Sequence, residues 1–175
     1  MGEGMNDKFL CVMAGYDEAT EEYLSGIQRS LYESGFVGRQ TRDIPHHITL
    51  GTFDCDREDN IINLVKYVGS YTAAFDITFN HIGVFGGSRV LFIAPDANYN
   101  LLKLQGSFSE GFGWTPHTTM LIDEPDNIFR ALPVAAQQFH SFEGKIESLH
   151  LYEFWPTRHI VSVKLQSQHE HNEVI

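Results

Sequence analysis

The strings Pro45-His46-His47-Ile48-Thr49-Leu50 and Pro116-His117-Thr118-Thr119-Met120-Leu121 carry one pattern twice. Each has a histidine, any residue and a threonine, with proline shortly before and apolar side chains after. Along a strand, residues i and i+2 share a face and lie roughly 6–7 Å apart. His47 and Thr49 would then look into one space, as would His117 and Thr119, while Ile48, Leu50, Thr118 and Met120 turn to the opposite side. An imidazole of unperturbed pKa about 6.5 can be neutral in one copy and protonated in the other near neutral pH. One ring takes a proton from an attacking oxygen, the other gives one to a leaving oxygen, and either ring can hold either role. The threonine hydroxyls can donate hydrogen bonds to the non-bridging oxygens of a phosphate, where charge gathers during transfer. Together these groups suit the making or breaking of a phosphodiester, most naturally a cyclic one, with no required metal.

With 9 histidines in the chain, about half a His-x-Thr match is expected by chance, so one copy would carry little weight. Two copies in like surroundings carry much more. Other polar residues have plainer explanations. His46 would face away from the site if the strand runs through it, as a surface or packed histidine. Asp54 and Asp56, on either side of Cys55, suit the approach to a helix N-terminus. His169 and His171 have metal-like spacing but belong to a polar tail.

The motifs need strands to carry them and helices to cover those strands. Residues 8–14 form an apolar, strand-like run, and 17–34 place Tyr23, Leu24, Ile27 and Leu31 at helical spacing, with Gly35 as a glycine cap. A strand over 47–53 and a helix over 56–70 closed by Gly69 follow. Phe75, Ile77 and Phe79 alternate with polar residues as in a half-buried strand, and Gly86-Gly87 marks a hairpin into 89–94. A helix over 98–108 leads to a strand over 117–122, then a helix over 127–139 that Pro133 would kink or split. Strands over 142–154 and 159–165 end the pattern. Strand, helix and His-x-Thr strand thus occur twice, so two similar lobes facing each other would bring both motifs to one place. Interspersed hairpins and helices favour an α+β fold with antiparallel sheet.

At 175 residues the chain is expected to form one domain over 1–175, with loose polar ends at 1–7 and 168–175. No apolar run approaches the roughly 18 residues needed to cross a bilayer, and no signal-peptide pattern opens the chain, so a cytoplasmic address is expected. Two cysteines make no disulfide framework, and Cys11 reads as a buried small hydrophobe. A net charge of −11, with only 12 scattered basic residues, argues against extended nucleic-acid binding. A small anionic substrate or one RNA end in a local pocket fits that balance.

Through His47-Ile-Thr-Leu50 and Pro116-His-Thr-Thr-Met120 the chain resembles the 2H phosphoesterases. The resemblance is to the LigT-like branch of 2′–5′ RNA ligases and RNA 2′,3′-cyclic phosphodiesterases. Arg89–Ala94 leading into a helix and the late strand Ile146–Glu153 extend it over roughly residues 8–166. It implies a bilobal α+β fold, two pseudo-symmetric lobes of antiparallel sheet with helices outside, and a metal-free, cofactor-free site in the cleft between them. His47 and His117 would share the base and acid roles, and Thr49 and Thr119 would hold the phosphate. Tyr152 lies on the strand resembling the family's third site-lining element, where it would stack on a base or serve as core. Many LigT-like members carry arginine five residues before the second histidine; here Phe112 stands there, which removes a positive contact. Arg42, five before His47, is the candidate to supply charge from the other lobe, and Trp114 would form a cleft wall or fill a loop.

The leading expectation is an enzyme that opens a 2′,3′-cyclic phosphate to a 2′-phosphate, or acts on a 2′–5′ phosphodiester, with ligation as the reverse chemistry. Its partner would be a small nucleotide, such as ADP-ribose cyclic phosphate, or an RNA end. The alternative is a non-catalytic nucleotide or RNA-end binding module using the same cleft, against which both intact motifs stand. A histidine-based metallohydrolase lacks a third ligand at a convincing spacing.

Overall fold

A computed structural model describes residues 8–87, 89–109 and 113–167. The polar ends at 1–7 and 168–175, with the tail histidines, lie outside the described residues, as does Phe112. The elements are β1 (Phe9–Tyr16), α1 (Glu18–Glu33), β2 (His47–Asp54), a 3-10 turn (Cys55–Arg57), α2 (Glu58–Tyr71), β3 (Phe75–Val84), β4 (Val90–Pro95), α3 (Tyr99–Gly106), β5 (Thr118–Ile122), α4 (Pro125–Gln138), β6 (Phe142–Phe154) and β7 (Arg158–Lys164). The strands join in one seven-stranded sheet of order β2-β1-β6-β3-β4-β5, with β7 also on β6. Every named strand pair is antiparallel. The expected α+β class with antiparallel pairing is the one that forms.

Local chemistry sets the helix ends. The Asp17 carboxylate accepts from the Thr20 amide and caps α1, and the Asn98 side chain does the same for α3 through Leu101. Leu24, Ile27 and Leu31 bury one stripe of α1. Two expectations need correction. Gly69 does not close α2, which runs on to Tyr71; a Cβ there would lie 2.5 Å from Val163 Cγ1, so the glycine admits β7 against the helix. Pro133 does not split α4. The amide it lacks would have served the carbonyl of Phe129, an exposed residue, so the helix forgoes one bond on its outer side.

The two motif strands are built alike. β2 pairs with β1 so that Thr49 faces Met13 and His47 faces Gly15, and β5 pairs with β4 so that Thr119 faces Phe92. Both pairings slip register at the same place, between Val12 and Met13 and between Leu91 and Phe92. The long strand β6 joins the two groups, pairing with β3 through Phe142–Ile146 and with β1 through Ile146–Phe154. One apolar cluster, including Leu24, Val65, Leu101 and Ala131, connects all four helices to the sheet. A smaller one, Cys11, Met13 and Phe154, lies apart from it. β2 and β5 stand at opposite ends of the strand order yet touch each other, so the sheet wraps round until its two motif strands meet.

Candidate active site

Alternation along the motif strands is as a half-buried sheet demands. Ile48, Leu50, Thr118 and Met120 are buried, while His47, Thr49, His117 and Thr119 keep partial access to solvent. His47, Thr49 and Thr119 line one cavity of about 250 Å³, so residues from the two sheet ends share a space.

Each histidine is oriented by the same device. The Nδ1–H of His47 donates to the carbonyl of Pro45 at 2.9 Å, and that of His117 to the carbonyl of Thr115 at 2.8 Å. A carbonyl only accepts, so Nδ1 must carry the proton and Nε2 is left as the exchangeable position in both rings. In both copies the accepting carbonyl belongs to the residue two before the ring, Pro45 itself in one and Thr115, next to Pro116, in the other. His117 is further held edge-on against Phe85 and Phe92, at 4.6 and 5.5 Å between ring centres. It is not a wall residue of the cavity, but its charge bears on His47.

Burial dominates the electrostatics. It pushes the His47 pKa down to about 4, against the Pro45 hydrogen bond, and positive charge on His46, His117 or His150 works in the same direction as burial. The His117 pKa is also lowered by burial, opposed by its bond to Thr115. At neutral pH both rings therefore favour the neutral form.

The hydroxyls are placed to donate. Burial raises the Cys11 pKa to about 11, so its thiol stays protonated 3.7 Å from Thr49 Oγ1 and can donate to that oxygen. The Thr49 hydrogen is then free for a ligand. Among the described residues, the Thr119 hydroxyl has no hydrogen-bond partner.

The remaining candidates fall elsewhere. Arg42 does not reach the cavity: it is exposed, with its guanidinium 5.6 Å from the centre of the Tyr32 ring. Trp114 is packed against the core and donates its indole N–H to the carbonyl of Thr49 at 3.0 Å, so it ties the motifs together rather than walling the cleft. Tyr152 packs beside the cavity wall against Phe154 and His159, at 6.4 and 5.1 Å between ring centres. His46 does not face away. It lines the cavity, with Nδ1 2.9 Å from Glu21 Oε2 and Nε2 3.1 Å from Gln28 Oε1.

A family model described as the 2′-5′ RNA ligase superfamily matches residues 17–154, most of the chain. The chain belongs to the 2′-5′ RNA ligase superfamily. A comparison with curated protein sequences found no match. Solved structures agree on the fold. Escherichia coli LigT in its apo form superposes with a TM-score of 0.62 at 14% identity, covering 91% of this chain and 98% of its own. The same protein complexed with 3′-AMP gives 0.61 at 16%, covering 90% and 98%. The Thermus thermophilus protein TT0787 gives 0.64 at 14%, covering 92% and 100%. The LigT-like resemblance carried by the two motifs is upheld at the level of family and fold.

This 2′-5′ RNA ligase superfamily member also has wall residues that sequence reading passed over. Cys11 and Met13 face the cavity, while Leu10, Val12 and Ala14 face the main core. A strict period of two along β1 separates the sets, so that signal was present in the sequence. Phe154, Trp155 and Ile44 complete an apolar wall, and no local pattern marks them. Among the described residues, no helix is long and apolar enough to cross a membrane, and no group of three or more His, Cys, Asp or Glu is disposed to hold a metal ion.

Proposed function

We propose that this superfamily member is a metal-independent phosphodiesterase that hydrolyses a 2′,3′-cyclic phosphate, or a 2′–5′ linkage, on a small nucleotide or RNA end. The observation that carries this is the matched pair of Nδ1–H···O=C bonds at His47 and His117, which reserves both Nε2 atoms for proton exchange. His47, the ring most strongly depressed by burial, suits the base; His117, the other ring, suits the acid. A water oxygen attacks phosphorus as its proton passes to His47 Nε2. The bond from phosphorus to the ribose 3′ oxygen breaks, and that oxygen takes the Nε2 proton of His117, which enters the step as an imidazolium with its Nδ1–H still on the Thr115 carbonyl. A 2′-phosphate and a 3′-hydroxyl result, and solvent resets the two rings. Thr49 and Thr119 would hold the non-bridging oxygens.

The cavity wall supports a substrate of low charge. Among the described residues that line it there is no Asp, Glu, Lys or Arg, and Phe9, Ile44, Phe154 and Trp155 form an apolar surface suited to a base. A cyclic phosphodiester carries one negative charge, which suits such a wall better than a terminal phosphomonoester. Escherichia coli LigT has been crystallised with 3′-AMP, ATP and NADP+, which supports nucleotide-sized ligands here. The free thiols Cys11 and Cys55 fit a reducing, cytoplasmic setting.

The test offers 2′,3′-cyclic nucleotides and 2′–5′ dinucleotides with EDTA present. Turnover is expected, and His47→Ala and His117→Ala should each lower kcat by roughly 100- to 10,000-fold. Tight binding without turnover would instead establish a binding module. Full activity in either variant would remove the acid–base reading.

A further inference from the structure

We propose that His46, as an imidazolium, is a positioning residue that braces the two His-x-Thr strands through α1. The inference builds on the function proposed above. Gln28 Nε2 donates to the Met120 carbonyl at 3.2 Å, which turns its Oε1 toward His46 Nε2. Glu21 presents a carboxylate oxygen to His46 Nδ1. Both ring nitrogens thus face acceptors, and only a doubly protonated ring can donate to both. With one proton fewer, a nitrogen lone pair would confront an oxygen lone pair and one bond would be lost.

Glu21 points the same way. Its Oε1 is buried without a hydrogen-bond partner, so the ring beside Oε2 is the contact that compensates its charge. The brace runs from His46, the residue just before β2, through Gln28 to the Met120 carbonyl, one residue past Thr119 on β5. Charged and titratable neighbours are Glu21 on α1, His47 at the start of β2 and, within electrostatic reach of Glu21, Tyr16 on β1 and His150 on β6. A displacement of about 1 Å between base and phosphate contacts can cost about 100-fold in rate, so a brace between their strands matters to turnover.

The experiment records ring-nitrogen NMR spectra of the full chain, with His46 assigned by its absence in His46→Asn, alongside kinetics on the cyclic nucleotide. At pH 7 the wild-type His46 ring should show two protonated nitrogens, a signature weakened in Glu21→Gln. His46→Asn and Gln28→Ala should each lower kcat by about 10- to 100-fold with little change in KM, and the double variant should be no worse than either single. Thermal melts establish that the variants fold; should His46→Asn fail to fold, His46→Gln serves for the assignment and Gln28→Ala for the kinetics. A singly protonated His46 ring, or unchanged kcat in the folded variants, overturns the brace. If the wild type turns over neither substrate class, the proposed function falls, while the spectra still decide whether the brace exists.

Discussion

Trp114 donates its indole N–H to the carbonyl of Thr49 at 3.0 Å. A residue three positions before one motif histidine therefore holds the strand of the other. Two more bonds hold β5 from the other side: Gln28 on α1 donates to the Met120 carbonyl, and the amide of Arg39, between α1 and β2, donates to the Ile122 carbonyl at 2.7 Å. The site depends on such ties, because β2 and β5 share no ladder of their own.

Trp114→Phe keeps the aromatic packing and deletes the donor. It should destabilise the fold by about 1 kcal/mol, the ordinary value of one such bond, and lower kcat severalfold. Chemical denaturation and steady-state kinetics on one preparation would check both.

The Tyr16 hydroxyl is bonded to the Thr118 hydroxyl within the core, with both residues buried. Tyr16→Phe or Thr118→Val alone strands a buried polar group and should cost about 1–3 kcal/mol. The double variant should recover much of that loss, since neither unsatisfied hydroxyl remains. A double-mutant cycle in urea would give the coupling, and strict additivity would contradict a direct bond.

Acid should weaken the fold through His47. Its folded pKa of about 4 lies below the ordinary imidazole value, so between the two the unfolded chain binds more protons than the folded one. Stability should fall as pH drops from about 6.5 toward that folded value and level off below it, with His117 contributing in the same direction. Thermal melts across that window should show a smaller fall in His47→Gln. In kinetics, the proposed two-histidine reaction should give a bell-shaped kcat/KM with its optimum on the acid side of the ordinary imidazole value, because both rings are depressed.

Gly51 lies on β2 where a Cβ would come 2.6 Å from the backbone oxygen of Phe108, just past α3. Backbone cannot swing aside, so Gly51→Ala must separate β2 from the chain that leads to β5. A loss of about 1–3 kcal/mol is expected from the overpacking, with kcat reduced more than KM is raised. An unchanged kcat would show that the motif strands tolerate the shift.

Much of this was legible in residue order. Apolar alternation around His47 and His117, the caps at Asp17 and Asn98 and the hairpin at Gly86-Gly87 are local features, readable wherever the chemistry of neighbours along the chain decides the conformation. Gly69 misled for the opposite reason: its role is to admit Val163, which lies far along the chain. Arg42 misled likewise, since the ring that engages it, Tyr32, belongs to the end of α1.

What the chain alone determined is the candidate kit, two imidazoles and two hydroxyls, each pair set two residues apart along or at the start of a strand. Tertiary structure decided which further groups surround that kit. His46 turned inward because Glu21 and Gln28 wait for it on α1, and Cys11 and Phe154 became wall residues because β1 and β6 pair beside β2. Strand periodicity is a property of consecutive residues, whereas a cavity is bounded by surfaces that meet only when distant segments pack.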